Sequence, residues 1–341
     1  MTKMRRITPV PVINALLFAV ASVVTFPEFC FGNDPRPSSD TPFRVEPQPY
    51  MSRRAKRKAR RRGTYIEFKT FENQNDSLIT SQSPDVHKDQ PYHDDCLPCQ
   101  HFDIYLPQGC HSELPLIIWI HGTTWRNGTR DDCPITWLTN EGYAVASIGY
   151  RLSSEATFPA QVYDCLSAIT FLEEQAEVWG IDPNKMCIAG ASAGGHLAAL
   201  SGLWNESIPN KPMPHVASIC IFGAPTHLTT LGPEHDRSTS PASLLIGGPL
   251  PEFREAAQRA SPLVHVNPDA PPILIVHGTN DKKVAPEQSK DFNSALEAAG
   301  IESYLVFVDA PHELPLNRSD EAGQALLSFL RQTLNPALHA R

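Results

Sequence analysis

Ser192 stands in the segment GASAG (190–194), with a glycine two residues before it and another two residues after it. This spacing is typical of a serine on a tight turn between a strand and a helix, because glycine lets the two backbones approach closely. The apolar segment MCIAGA before the serine predicts a strand, and a helix is predicted to begin near Gly194. Ser192 is therefore a candidate nucleophile, and a small residue in a plain turn is the alternative.

A serine hydroxyl needs a base to become a nucleophile, and the base needs an acid that holds its tautomer. Asp281 follows the strand-like segment ILIVHGTN, and His312 follows the strand-like segment YLVFVDA. Functional groups of open parallel sheets gather at the carboxyl ends of the strands. We therefore predict that Ser192, Asp281 and His312 converge as nucleophile, acid and base. Asp309 and Glu287 are alternatives for the acid, but neither follows a strand end so directly.

Three other histidines are interpreted as structural. His196 lies one helical turn beyond Ser192, whereas a catalytic base must face the serine. His265 and His277 lie beside or within apolar segments, where a histidine is usually buried with its hydrogen bonds satisfied.

A developing oxyanion needs hydrogen-bond donors, and the amide of Ala193, directly after the serine, is the first that we predict. The others are expected from the loop HGTTW (121–125), which follows an apolar strand. We predict a hole formed by the amides of Thr123 and Ala193, with Gly122 as a third donor. Threonine is strained at positive φ, so this prediction requires negative φ values at Gly122 and Thr123. A plain turn after the strand is the alternative.

The elements that must position these residues form an alternating pattern. Helical patterns such as residues 160–178, with apolar side chains three and four apart, separate several short apolar runs. This alternation predicts an α/β fold with a mostly parallel, doubly wound sheet and helices on both faces. Residues 226–272, between two predicted strands, are long enough for a small lid segment. The runs that predict strands buried on both faces are HFDIYLP, PLIIWIHG, YAVASIGYR, MCIAGAS, HVASICIFGAP, ILIVHGTND and SYLVFVDAPH.

The N-terminal third has a different organisation. Residues 1–32 combine an initial basic segment with an apolar run over 12–26, which predicts a signal peptide cleaved near Gly32 and hence export to the periplasm or the exterior. The run is shorter than the roughly 20 residues of a membrane-spanning helix, so a permanent anchor is the less favoured alternative. Residues 33–90 are polar and Pro-rich and predict a disordered linker. The catalytic domain is expected over 91–341.

The linker contains the basic run RRAKRKARRR (53–62). One interpretation is contact with a polyanion or a membrane surface, and the favoured one is a solvated basic spacer. The chain has a formal net charge of −8 despite this run, so the folded domain is acidic and is expected to repel nucleic acid. The oligomeric state stays open.

The chain has eight cysteines, and cleavage near Gly32 would remove Cys30 and leave an odd number. Those in apolar patterns, expected to be buried, are Cys165, Cys187 and Cys220. Those in loop-like segments, candidates for two disulfides, are Cys96, Cys99, Cys110 and Cys133. The segment CLPC (96–99) with His101 offers three ligands and no second pair, so we expect no metal site and no cofactor.

Four segments in this order resemble the α/β-hydrolase superfamily: HGTTW, the stretch from YRLSS to GASAGGHLAAL, the stretch from SPLVH to HGTNDKKVAPEQS, and APHEL. Within it they resemble the esterase/lipase group related to hormone-sensitive lipase and feruloyl esterases. The resemblance covers about residues 100–335 and implies a carboxylic ester hydrolase with a Ser192, Asp281, His312 triad. The chain departs from this group at Thr123 and Thr124, where glycines are usual, and at His227, near which relatives often carry an aspartate.

Three functions remain open from the sequence. The favoured one is an exported serine esterase acting on small or polysaccharide-linked acyl esters. The second is an amidase or peptidase with the same triad, because the acyl-enzyme chemistry is shared and arylformamidases carry similar motifs. The third is a catalytically silent hydrolase fold used for binding, which the threonines at 123 and 124 keep open.

Overall fold

The computed structural model describes residues 83–109, 113–206 and 213–334. Their framework is one eight-stranded sheet. In chain order the strands are Asp85–Pro91 (β1), His101–Leu106 (β2), Leu114–Ile120 (β3), Ala144–Ile148 (β4), Ile181–Ala191 (β5), Ser218–Phe222 (β6), Ile273–Gly278 (β7) and Ser303–Val308 (β8). Across the sheet their order is β1-β2-β4-β3-β5-β6-β7-β8.

Strands β3 to β8 are parallel, which confirms the mostly parallel sheet predicted from the sequence. The edge differs from the prediction, because β2 runs antiparallel to β4 and β1 runs antiparallel to β2. Strand β1 lies at the end of the segment 33–90 that the sequence predicts as a linker. Its pairing with β2 shows that the sheet begins before residue 91.

The described residues also form seven α-helices. They are Ala160–Glu174 (α1), Ala176–Trp179 (α2), Ala193–Leu203 (α3), Pro241–Ile246 (α4), Arg254–Arg259 (α5), Glu287–Ala298 (α6) and Glu321–Thr333 (α7). Short 3₁₀ helices cover Thr136–Glu141, Leu228–Thr230, Pro233–His235 and Pro262–His265. None of the helices in the described ranges has the length and apolar composition that crossing a membrane requires.

Two hydrophobic clusters lie on opposite faces of the sheet. Successive side chains of a strand point to opposite faces, so Ile118 of β3 packs in the cluster of α1, α3 and α6. Trp119 packs on the other face, in the cluster of α7. Burial on both faces explains why the parallel strands are almost continuously apolar. Packing on both faces holds the sheet in place, and with it the carboxyl ends of the parallel strands.

The lid segment (226–272) lies between β6 and β7, as the sequence predicts, and contains α4, α5 and three of the 3₁₀ helices. The side chain of Gln288, in α6, is hydrogen-bonded to the first residues of the lid segment. The Gln288 Oε1 atom accepts hydrogen bonds from the amides of Thr226 (2.9 Å) and His227 (2.8 Å), and its Nε2 atom donates to the carbonyl of His227 (3.2 Å). The His227 ring forms a 2.8 Å hydrogen bond with Thr229 Oγ1, so its partner is another residue of the lid segment.

The cysteines follow the sequence prediction only in part. Those in α1, β5 and β6 are buried, as expected: Cys165, Cys187 and Cys220. The loop cysteines that the structure describes are free thiols rather than disulfide partners: Cys96, Cys99 and Cys133. Cys110 lies outside the described residues, so the prediction of two disulfides has no support among the cysteines that are described.

The predictions for the N-terminal part concern residues outside the described ranges. They are the signal peptide over 1–32, most of the linker over 33–90, the basic run over 53–62, and export. These stay predictions.

Candidate active site

Ser192 occupies the turn between the end of β5 and the start of α3. Its backbone has φ 53° and ψ −121°, a combination that L-residues rarely adopt and that costs of order 1–3 kcal/mol. Backbone hydrogen bonds hold this conformation, because the Ser192 amide donates to the carbonyl of Phe222 (2.8 Å) and its carbonyl accepts from the amide of His196 (3.0 Å). A strained serine at the carboxyl end of a central strand presents its hydroxyl above the sheet.

The glycines of the GASAG segment are required by close backbone packing. A Cβ atom at Gly190 would lie 2.4 Å from the carbonyl oxygen of Gly194. A Cβ atom at Gly194 would lie 2.0 Å from the carbonyl oxygen of Ile120, in β3. No side chain fits at either position, so α3 packs directly against the ends of β5 and β3.

His312 and Asp281 meet Ser192 from the ends of two further strands, β8 and β7. The Nε2 atom of His312 lies 2.9 Å from Ser192 Oγ, and its Nδ1 atom lies 2.7 Å from Asp281 Oδ2. A carboxylate only accepts, so Nδ1 carries the proton and Nε2 is free to accept the serine hydroxyl. The structure thus brings together the three side chains that the sequence predicts to converge. Asp309 instead accepts a hydrogen bond from Asn280, and Glu287 pairs with Lys290.

The Asp281 carboxylate is buried, accepts three hydrogen bonds and has His277 Nε2 as a fourth close contact. Its Oδ1 atom accepts from the amides of Lys283 (2.8 Å) and Val284 (2.9 Å), and its Oδ2 atom lies 2.7 Å from His312 Nδ1 and 3.2 Å from His277 Nε2. Burial alone would raise the pKa of Asp281. The hydrogen bonds from His277, His312 and the two amides outweigh burial and hold this pKa well below its usual range. Asp281 is therefore ionised at every ordinary pH.

His277 is the residue at this site that the sequence analysis missed. Its buried ring was expected to be satisfied within the core, but it contacts the carboxylate of Asp281. Its position at the end of β7, four residues before Asp281, is the one feature of the sequence that points to this contact.

The loop after β3 lies against the serine turn. A Cβ atom at Gly122 would lie 2.7 Å from the carbonyl oxygen of Ala191 and 3.5 Å from Ser192 Cβ. Ala193 begins α3, so its amide belongs to the first helical turn, whose N–H groups have no partner within the helix. The structure therefore places the amide of Ala193 and the loop of Gly122 and Thr123 beside the serine.

The conformation of this loop contradicts the negative φ that the prediction required at Thr123. Thr123, Thr124 and Trp125 have φ values of 70°, 61° and 58°, so three successive residues lie in the left-handed region. The threonines therefore adopt the backbone conformation that glycine favours, and both side chains are exposed. Gly122, in contrast, does not have a positive φ.

Anchors on Trp125 explain how the loop keeps this strained conformation. The buried Trp125 ring donates from Nε1 to His196 Nδ1 (3.2 Å), and the Trp125 carbonyl accepts from the amide of Ser153 (2.8 Å). His196 donates in turn from Nε2 to the carbonyl of Ala260 (2.6 Å) in the lid segment. Burial lowers the pKa of His196 to about 4, which keeps the ring neutral as both contacts require. His196 is thus structural, as the sequence indicates.

A cavity of about 320 Å³ lies above Ser192 and His312. Its walls come from the loop after β3, from the lid segment and from the loop that carries Asp281. The apolar side chains that border it include Trp125, Pro225, Leu231, Pro241 and Val284. Charged or titratable side chains also border it: Glu234, His235, Lys282 and Lys283. Within the described ranges, no group of three or more His, Cys, Asp and Glu side chains is placed to hold a metal ion.

Comparison of the sequence with known proteins identifies its family. The family model BD-FAE matches residues 102–296. Esterase LipC of Mycobacterium tuberculosis is 28% identical over 71% of this chain and 64% of its own length. Isoprenylcysteine alpha-carbonyl methylesterase ICME of Arabidopsis thaliana is 26% identical over 61% of this chain and 52% of its own length. The chain thus spans between half and two thirds of these curated relatives.

Solved structures show the same fold. A truncated form of a carbohydrate esterase from gut microbiota matches with a TM-score of 0.66 and 26% identity, over 74% of this chain and 97% of that protein. The esterase Est2 of the planctomycete Thermogutta terrifontis matches with a TM-score of 0.60 and 23% identity, over 77% of this chain and 96% of that protein.

Proposed function

The chain belongs to the BD-FAE family of α/β-hydrolases, and from this premise we propose that it hydrolyses carboxylic esters through an acyl-enzyme formed on Ser192. The observation that carries the proposal is the 2.9 Å distance between Ser192 Oγ and His312 Nε2 at the cavity. The names of the curated relatives and of the structural neighbours, which are esterases, support the same reaction class.

In this proposal His312 acts as the base. Its Nε2 atom takes the proton of Ser192 Oγ while that oxygen attacks the ester carbonyl, and it then gives the proton to the leaving alcohol. Asp281 accepts the Nδ1–H of His312 and stabilises the imidazolium that forms in between. In the second half, His312 Nε2 takes a proton from the water that attacks the acyl group. It gives this proton to Ser192 Oγ as the bond to the acyl group breaks and the carboxylic acid leaves.

We assign the oxyanion hole to the amide of Ala193 and to those of Gly122 and Thr123. The amide of Ala193 lies at the positive end of α3, and the close approach of Gly122 to Ser192 supports a contribution from the loop. The positive φ of Thr123 does not meet the condition on which the sequence made this residue a donor. We keep its amide in the proposal because Thr123 adopts the backbone conformation that glycine favours, in a loop anchored through Trp125. Each such donor contributes roughly 10²–10³-fold to kcat.

The proposed substrates are esters of short acyl groups or of acyl groups linked to carbohydrate. A volume of about 320 Å³ is at the small end of ligand pockets, which span roughly 300–1,000 Å³. Apolar walls suit an acyl chain, and the likeness to a carbohydrate esterase supports a sugar as the alcohol part. A panel of 4-nitrophenyl esters from acetyl to palmitoyl, with acetylated and feruloylated polysaccharides, tests this. Palmitate as the best substrate would contradict it.

The reaction itself is tested with Ser192→Ala. We expect kcat to fall by at least ~10³-fold, as for other triad nucleophiles, while the thermal unfolding midpoint stays close to that of the wild type. Ser154→Ala, at an exposed serine on another loop, is the matched control and should keep full activity. A folded Ser192→Ala variant with wild-type turnover would refute the assignment.

An ester and an anilide of the same acyl group separate the esterase from an amidase or peptidase. We expect hydrolysis of 4-nitrophenyl acetate and no comparable hydrolysis of 4-nitroacetanilide. Equal kcat/KM values for both would favour the amidase, and turnover of neither by wild-type protein would favour a silent fold.

A further inference from the structure

We propose that His277 is a positioning residue for the reaction, which holds the Asp281 carboxylate in the orientation that His312 needs. This inference rests on the proposed function, because it concerns the same acid and base. His277 lies in β7, its side chain has no exposed surface, and the proposed mechanism assigns it no step. Its ring contacts three groups, and each contact limits its protonation and orientation.

The contacts fix which nitrogen of His277 carries the proton. Its Nε2 atom lies 3.0 Å from the carbonyl oxygen of Val284 and 3.2 Å from Asp281 Oδ2, and both of these atoms only accept. Nε2 therefore carries a proton. Its Nδ1 atom lies 2.6 Å from the hydroxyl of Ser289 in α6, and a hydroxyl can donate. A ring with one proton, on Nε2, fits these contacts: the Nε2–H is shared between the Val284 carbonyl and Asp281 Oδ2, and Nδ1 accepts from Ser289.

This assignment makes the hydrogen bonding of Asp281 complete. An ionised carboxylate offers about four acceptor sites, two on each oxygen. The amides of Lys283 and Val284 fill those of Oδ1, and His312 and His277 fill those of Oδ2. The side chain of Asp281 has no exposed surface, so water does not replace a missing donor without rearrangement. Each carboxylate oxygen is thus fixed by donors from two different directions.

Two consequences for catalysis follow from the shared Oδ2 atom. Without His277, the two amides still hold Oδ1 but only His312 holds Oδ2. The Oδ2 end of the carboxylate can then shift, and the alignment of His312 with Ser192 becomes less precise. A carboxylate oxygen that serves one donor instead of two also attracts the Nδ1 proton of His312 more strongly, so the acid limb of the kcat/KM profile should move to higher pH. The charged and titratable groups around the ring are Asp281, His312 and Glu287, and the ring of Phe307 lies 6.4 Å away.

A pair of substitutions at residue 277 separates the donor from the shape of the ring. His277→Phe fills the space without a donor. His277→Gln keeps an N–H₂ group at the end of the side chain, which can reach both Asp281 and Val284. We expect kcat of His277→Phe to fall by roughly 10- to 100-fold with little change in KM, because a small misalignment of the base has effects of this size. The acid limb of its kcat/KM profile should move up by roughly half a pH unit or more. His277→Gln should restore most of both.

Ser289→Ala gives a second measurement if His277→Phe does not fold. It leaves the imidazole in place but removes the hydroxyl on Nδ1, so the donor to Asp281 weakens and the acid limb should move in the same direction by less. Ser294→Ala, at an exposed serine of α6, is the matched control and should behave as the wild type.

The inference is overturned if folded His277→Phe keeps the wild-type kcat and acid limb, or if His277→Gln and His277→Phe are equally impaired. An unchanged acid limb in Ser289→Ala, where His277→Phe does not fold, overturns it as well. These outcomes are distinct from a failure of the proposed function. That failure appears in Ser192→Ala, whereas the His277 variants leave Ser192 in place.

Discussion

Replacement of Thr123 by glycine is expected to stabilise the protein, although it removes a side chain. Thr123 has φ 70° and an exposed side chain, so glycine loses little packing at this position. An L-residue in the left-handed region costs roughly 1–2 kcal/mol, whereas glycine costs roughly 0.5–1 kcal/mol in additional chain entropy on folding. Thr123→Gly should therefore be more stable than Thr123→Ala by about 0.5–1 kcal/mol, which is about 1–4 °C in Tm.

The comparison of glycine with alanine at one position isolates the backbone, because both remove the threonine side chain. Thr129 is the matched control, since it is exposed, lies close in sequence and does not have a positive φ. At Thr129 alanine should be more stable than glycine by about 0.5–1 kcal/mol, which is the opposite sign.

Urea unfolding followed by circular dichroism measures both pairs. The amide of residue 123 persists in each variant, so kcat should change little. If glycine is no more stable than alanine at 123, the loop does not hold the left-handed conformation and the strain argument is wrong.

Two further predictions concern the serine turn and the buried histidines. Gly194→Ala should cost at least about 3 kcal/mol in unfolding free energy or prevent folding, because its Cβ atom would lie 2.0 Å from a carbonyl oxygen of β3. At Gly300, which has φ 80°, an added Cβ atom would have no other residue's atoms within 4 Å, so Gly300→Ala should cost only about 1 kcal/mol. Equal losses of unfolding free energy in the two variants would contradict the packing argument. Burial lowers the pKa of His121 and of His196 to about 4, whereas an unfolded histidine titrates near 6.5. The unfolded chain then binds more protons, so the unfolding free energy should fall as pH drops from about 6.5 to about 4, by up to about 3 kcal/mol for each histidine. His196→Gln should make this pH dependence shallower, and an unchanged slope would count against the neutral buried ring.

The convergence of the three side chains could be predicted because it depends on local patterns and one general rule. Apolar runs placed Ser192, Asp281 and His312 after three strands, and parallel strands end at the same edge of the sheet. The glycines at 190 and 194 indicate the close packing of α3 from the sequence alone, and the structure shows the contacts that require them.

Strand β1 could not be predicted because its residues carry no apolar pattern. The segment DVHKDQP is largely exposed at the edge of the sheet, and its pairing with β2 alone makes it a strand. Pairing of distant segments is a tertiary property, which propensities of single residues do not contain.

The backbone conformation at Thr123 and the contact of His277 with Asp281 could not be predicted, because both depend on residues that are distant in the sequence. Threonine disfavours the left-handed region, yet the anchors of Trp125 on His196 and Ser153 determine the backbone at Thr123. The sequence places a histidine near Asp281, but the direction of its ring depends on the turn between them and on a serine of α6.

The central claim is that Ser192 carries the acyl group, and covalent labelling tests it most directly. Wild-type protein is treated with a fluorophosphonate, its intact mass is measured, and the modified peptide is sequenced by mass spectrometry. We expect one adduct per chain, located on Ser192, with esterase activity lost in proportion to labelling and no adduct on Ser192→Ala. Turnover of esters by a protein that takes no adduct, or takes it on another residue, would contradict the account.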